Sequence, residues 1–226
     1  MFVPMLGRIY ASEHCPQIIY DKKALELKEK LPPDLLGNGS QSQYTLLASA
    51  ARSANMDRFI QEFLMRKPDG VIVQLGCGLE TTYYRCDNGK TRWYAVDLPH
   101  VIDYRRELLP ESERETYLAG DAFSKDWIRQ VRTDFPDAPI LVTAGGLFHY
   151  FEEDKVISLF RMLRPVSYTH LDRYKVWVIA YTKQLRTPMM FYTAAINGVF
   201  VFLIAGALLF TQDVYKRQVL AFIQEL

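Results

Sequence analysis

The sequence predicts an α/β fold, a Rossmann-like sheet of parallel strands with helices between them, and three observations predict it. Short β-branched or aromatic runs recur between residues 71 and 143, helical patterns separate them, and glycines or carboxylates follow directly after three of the runs. Residues 71–75 (VIVQL) are a short β-branched run, as expected for a strand buried on both faces. Residues 93–96, 116–119 and 140–143 read as the next three strands, and 101–109, 125–133 and 152–163 as helices. Residues 176–181 (VWVIAY) have the pattern of a fifth strand, whereas the strands that would complete the sheet are expected to be missing or replaced. A chain of 226 residues suits one such domain.

Ahead of the sheet, residues 21–31 place Ala24, Leu25, Leu27 and Leu31 among charges, which predicts an amphipathic helix ended by Pro32 and Pro33. Residues 37–43 are a loop by composition, 44–64 carry a second helical pattern, and Pro68-Asp69-Gly70 form a turn. The expected organisation is a helical cap over 1–69, a core over 70–164 and a separate tail over 165–226.

Lys plus Arg number 27 against 26 Asp plus Glu, so nothing electrostatic points to nucleic acid. The cysteines at 15, 77 and 86 form no CxxC pair, which argues against a disulfide frame or a zinc site and for a reduced, cytoplasmic protein. The first residues, MFVPMLGRIYASEH, lack the basic start and apolar core of a signal peptide. Residues 191–210 are uncharged and long enough to span a bilayer, so a membrane is a partner only if that segment is native to the protein.

The chemistry concentrates at the ends of the first three strands. Gly76-Cys77-Gly78 follows the first, and two glycines allow a tight turn and close approach of a ligand to the backbone. A plain strand-to-helix turn would use the same residues. Asp97 ends the second strand, where a carboxylate can receive ribose hydroxyls or cap the next helix. Asp121, followed by Ala122 and Phe123, comes after the third, where a carboxylate and an apolar pair suit an adenine ring. All three groups fall on the carboxyl edge of the sheet, where open α/β folds bind ligands.

The stretches VIVQLGCGLETT, YAVDLPHVIDYRRELLP and GDAF resemble the leucine carboxyl methyltransferase family, which includes polyketide O-methyltransferases of the tetracenomycin type. The likeness runs from about Gly7 to about Arg164. It implies S-adenosylmethionine as cofactor, with Gly76, Cys77 and Gly78 near its methionine part, Asp97 and Leu98 at the ribose, and Asp121, Ala122 and Phe123 at the adenine. Arg52 matches the family arginine that pairs with the cofactor carboxylate, although a solvated helix arginine would look the same. Where the family has a pattern like AEGLLMYL, this chain has 144–151 as AGGLFHYF, so Gly145 replaces a glutamate. Tyr150 keeps the aromatic position, and His149 could act as general base for a hydroxyl acceptor, although a lone histidine is more often structural or exposed. These two are the candidate catalytic residues. Cys77 has no base placed beside it and reads as packing, not as a nucleophile.

Beyond Arg164 the sequence changes character. Residues 166–171 (VSYTHL) and 213–218 (DVYKRQ) are translations, in opposite senses, of the transposon end used in sequencing libraries. Residues 165–226 are therefore read as a chimeric tail, and poor stability is expected of the whole chain. The leading reading is methyl transfer from S-adenosylmethionine to a carboxyl or hydroxyl oxygen of a small molecule. A nucleotide-linked oxidoreductase is disfavoured because Thr81 stands where the third glycine of G-x-G-x-x-G would be. A membrane-anchored binding module depends wholly on 191–210.

Overall fold

The computed structural model describes residues 2–32, 41–168, 176–181, 189–196 and 199–206, with side chains up to Leu163 except that of His149. The chain divides into two compact units, one formed by Met1–Gly70 with Cys77–Asp121 and the other by Val71–Gly76 with Ala122–Leu226.

In the first unit, helix α1 (Phe2–His14) occupies a stretch to which the sequence reading assigns no element. Pro4 falls in its first turn, where a missing N–H is tolerated. Gly7 explains how it packs: a Cβ there would lie 2.6 Å from the Leu46 carbonyl oxygen, so only glycine lets α1 settle on helix α3 (Gln43–Arg66). Ser42 caps α3 by accepting from the Thr45 N–H at 3.2 Å. Between them lies α2 (Lys22–Leu27), capped by Asp21, whose carboxylate accepts from Ala24 N–H at 2.9 Å. A 3₁₀ turn, Lys28–Lys30, continues it toward Pro32. Met5, Ile9, Ala24, Leu27 and Leu31 form one apolar cluster with Leu79 and Leu109.

The same unit holds two parallel strands, β2 (Arg92–Asp97) and β3 (Glu115–Ala119), in a register that sets Asp97 against Ala119. A short helix α4 (Thr82–Cys86) precedes them. Helix α5 (Pro99–Leu108) joins them and begins on proline, whose fixed φ suits a first helical position.

In the second unit, β1 (Val71–Leu75) and β4 (Ile140–Ala144) run parallel and are buried at every residue, as the apolar runs predict. Helices α6 (Asp126–Asp134) and α7 (Glu153–Tyr168) belong here, with a 3₁₀ turn at Phe148–Tyr150. Phe160 packs edge-on against Phe148, and Leu159 and Leu163 are buried beside it in sequence on the same helix.

The fifth strand that VWVIAY predicts is present as β5 (Val176–Tyr181), and beyond it the described residues contain two further strands. β5 pairs parallel to β4, β7 (Val199–Gly206) pairs parallel to β5, and β6 (Met189–Ile196) pairs antiparallel to β7. The apolar segment whose length suits a membrane helix is thus strand over its described part. Its Val-Phe-Val-Phe-Leu-Ile run is β-branched and aromatic, and Asn197-Gly198 separates β6 from β7 in sequence, a dipeptide favoured between hairpin strands. Among the described residues, no helix is long and apolar enough to cross a membrane. Residues 207–210, the second half of VSYTHL and all of DVYKRQ lie outside the described residues.

Candidate cofactor site

In the first unit the structure brings Gly78 and Asp97 together. The Asp97 carboxylate accepts from the Gly78 N–H at 2.7 Å with one oxygen and from the Leu98 N–H at 2.8 Å with the other. Asp97 therefore ties the loop after β1 to the end of β2 instead of capping α5, whose N-cap position falls to Leu98 without a side-chain bond. Gly78 has φ +47°, a left-handed conformation that favours glycine. An ionised carboxylate offers about four acceptor positions, and two protein N–H donors leave room for hydroxyls on this half-exposed group.

Backbone bonding places Asp121 near the same strand ends. The Gly120 N–H donates to the Asp97 carbonyl at 2.8 Å, so the residue after Gly120 emerges, exposed, beside the end of β2. Leu98 is 48% exposed, unusual for a leucine at a strand end. Arg52 sits half-buried on α3 and donates to Ser49 Oγ at 3.3 Å.

Cys77 is buried against Ala95, Ile102 and Tyr117. Burial pushes its thiol up to about 12, so it stays protonated and packs.

Sequence reasoning missed Arg105, the arginine of the VDLP-x-VI-x-x-R stretch. This fully buried residue donates to the Gly78 carbonyl at 3.0 Å, to the Glu80 carbonyl at 2.7 Å and to the Glu115 carboxylate at 2.9 Å. Its guanidinium also lies over the Tyr117 ring, 4.7 Å from the centroid. Burial raises the Glu115 carboxyl, and Arg105 and the Tyr117 hydroxyl oppose that rise. The signal was in the motif, but only the structure shows that the arginine faces the glycine loop.

In the second unit, Gly76 has φ +63°, and a Cβ there would come within 2.8 Å of Leu147. Ala122 is buried, and its carbonyl accepts from the Trp127 indole N–H at 2.9 Å. The Phe123 ring meets Phe151 at 4.4 Å between centroids, and the Lys155 ammonium stands over both rings at 4.9 and 4.8 Å. Tyr150 is 75% exposed on the 3₁₀ turn that also contains His149.

Gly78, in a left-handed conformation, and the Asp97 carboxylate that accepts from its N–H lie at strand ends of the kind where open α/β folds bind ligands. The family model for leucine carboxyl methyltransferase matches residues 5–164, which include all of these groups. The chain belongs to the leucine carboxyl methyltransferase family.

Among curated proteins similar to it, the tetracenomycin polyketide synthesis O-methyltransferase TcmP of Streptomyces glaucescens is 32% identical over 184 residues, 80% of this chain and 62% of TcmP. That match is longer than residues 1–164, so the likeness to TcmP runs past the end of the family match. The S-adenosyl-L-methionine-dependent methyltransferase dpfgK of Gibberella zeae is 32% identical over 131 residues, 55% of this chain and 44% of dpfgK. The chain thus spans less than two thirds of the length of either relative. A solved SAM-dependent methyltransferase from Anabaena variabilis is 19% identical with a TM-score of 0.38, covering 50% of this chain and 48% of that one.

Proposed function

We propose that this chain binds S-adenosylmethionine and transfers its methyl group to a carboxyl or hydroxyl oxygen of a small, polyketide-like molecule. The observation that carries the reading is the Asp97 carboxylate on the Gly78 N–H at 2.7 Å, with both residues in the family's motifs. S-adenosylmethionine would supply an electrophilic methyl on a sulfonium sulfur, with S-adenosylhomocysteine leaving as the acceptor oxygen bonds the carbon. Gly76 and Gly78 would leave open backbone for its methionine part, Arg52 would pair with its carboxylate, Asp97 and Leu98 would hold the ribose, and Asp121, Ala122 and Phe123 the adenine. A carboxylate acceptor is already deprotonated at neutral pH, so positioning would do most of the work. A hydroxyl acceptor would need its proton removed, for which His149 is the candidate base and Tyr150 its neighbour.

Calorimetric titration with S-adenosylhomocysteine tests the reading, with NAD as comparison. Heat with the first and none with the second is expected, and the reverse would favour the oxidoreductase. Asp97→Asn should weaken binding by about tenfold or more, the scale of a lost charge-assisted hydrogen bond.

The proposed organisation keeps residues 1–69 as a helical cap, 70–164 as the cofactor-binding core and 165–226 as a chimeric tail. The family match ending at 164 supports that boundary, and the longer match to TcmP shifts weight toward β5 being native. Source DNA that runs continuously through both tag hexapeptides would reject the chimeric origin.

A further inference from the structure

The glycine pair explains the first half of the loop after β1 and leaves Leu79-Glu80-Thr81 without a role. Three successive carbonyls, those of Gly78, Leu79 and Glu80, are each held by a buried guanidinium. Arg105 takes the Gly78 and Glu80 carbonyls at 3.0 and 2.7 Å. Arg8, from α1, takes the Leu79 carbonyl at 2.8 Å. Because peptide units are planar, fixing these carbonyls also fixes the N–H groups on their opposite sides.

Arg8 is itself fixed by Asp21, whose carboxylate accepts from its Nε at 2.9 Å, and it reaches the Glu80 carboxylate at 2.9 Å with Nη1. Asp21 also accepts from the Thr81 hydroxyl and from Arg85 at 2.6 Å. Arg8 and Asp21 are fully buried, and Leu79 packs among Met5, Ile9 and Leu27 of the amino-terminal segment. One carboxylate that precedes the sheet by about fifty residues thus anchors both ends of Leu79–Thr81.

We propose that Arg8 and Asp21 are positioning residues for the methyl-donor site: they hold Leu79–Thr81 so that the preceding Gly78 N–H meets Asp97. This rests on the functional reading above. The amino-terminal helices are on this view part of the cofactor site's frame, and donor binding and docking of those helices are thermodynamically linked.

The test is the Kd for S-adenosylhomocysteine, by calorimetry on the full chain, of Arg8→Lys, Asp21→Asn and Asp57→Asn. Asp57 belongs to the same ion cluster but bonds Arg85 and not the 78–81 loop. Arg8→Lys keeps the charge yet cannot reach Leu79, Glu80 and Asp21 at once. Both loop-facing variants should bind S-adenosylhomocysteine about tenfold more weakly. Asp57→Asn should lose stability and keep its affinity. Equal affinities across wild type and all three variants would overturn the proposal, and so would an equal loss at Asp57→Asn.

If a variant does not fold, the wild type still decides. Saturating S-adenosylhomocysteine should slow amide exchange in Phe2–His14 and Lys22–Leu27 more than in α6. Unchanged exchange in those helices would refute the linkage. A wild type that gives no heat with S-adenosylhomocysteine would instead remove the functional reading, and the proposal with it.

Discussion

Glu80 and Asp57 show how one ion cluster sets opposite pH behaviour on two carboxylates. Burial alone would raise the Glu80 carboxyl, but Arg8 and Arg85 outweigh it and hold it down at about 2. Burial raises the Asp57 carboxyl in spite of its contacts with Arg85. A lowered folded-state pKa contributes stability above the ordinary carboxylate value and loses it as pH falls through the folded one. Glu80→Gln should therefore cost on the order of 2 kcal/mol near neutrality, a gap that closes as pH falls from about 5 to about 2. Urea melts of both proteins across that range check it, with the relief of the Glu80 repulsion that helps to raise Asp57 included in the measured difference. The residues of the glycine loop were legible from sequence because glycine and aspartate are rare in apolar strand ends. The arginines were not, since Arg8 and Arg85 look like ordinary helix charges until burial shows otherwise.

Among the elements, strands β1 to β5 and helices α3, α5 and α6 follow from pattern to within about two residues at each end. The expected strand at 71–75 is β1 itself, and the helical pattern over 44–64 becomes α3, one to two residues longer at each end. Helix α1 was missed because Pro4 and Gly7 weaken a helical reading, and both are there for reasons the sequence does not display. Gly7 is required by contact with α3, so Gly7→Ala should separate the two helices and cost about 1–3 kcal/mol, the range of overpacking in a tight site. Thermal melts against an exposed control such as Ser158→Ala would measure it. A Gly7→Ala protein as stable as wild type would mean that α1 adjusts freely. For 191–196 and 199–206, hydropathy fixed only that the residues avoid water; β7 pairs on both sides, with β5 and β6, so its backbone groups bond in a sheet instead of a helix.

At the scale of the whole molecule, the expectation is a stability that depends on the donor. A ligand that binds only the folded chain adds about 2.7 kcal/mol at a concentration one hundred times its Kd. S-adenosylhomocysteine should raise the melting temperature accordingly, and NAD at the same concentration should not; a differential scanning calorimetry trace with each ligand tests both statements. A cooperative melt from soluble, monodisperse protein would contradict the poor stability expected of a chain with a chimeric tail.

The sequence by itself determined the alternation of strands and helices over 71–163, the glycine loop, the carboxylates that end β2 and follow β3, and family membership. These are local properties, fixed by periodicity, by the need for open backbone at a close approach, and by residue order. Tertiary structure decided which charges matter. Asp97 faces Gly78, Arg105 and Arg8 grip three consecutive carbonyls, and Asp21 ties the amino-terminal helices to that loop across sixty residues, ending at Thr81. Contacts between residues so far apart in the chain leave no periodic trace. Only burial, which makes an unpaired charge or carbonyl costly, reveals them.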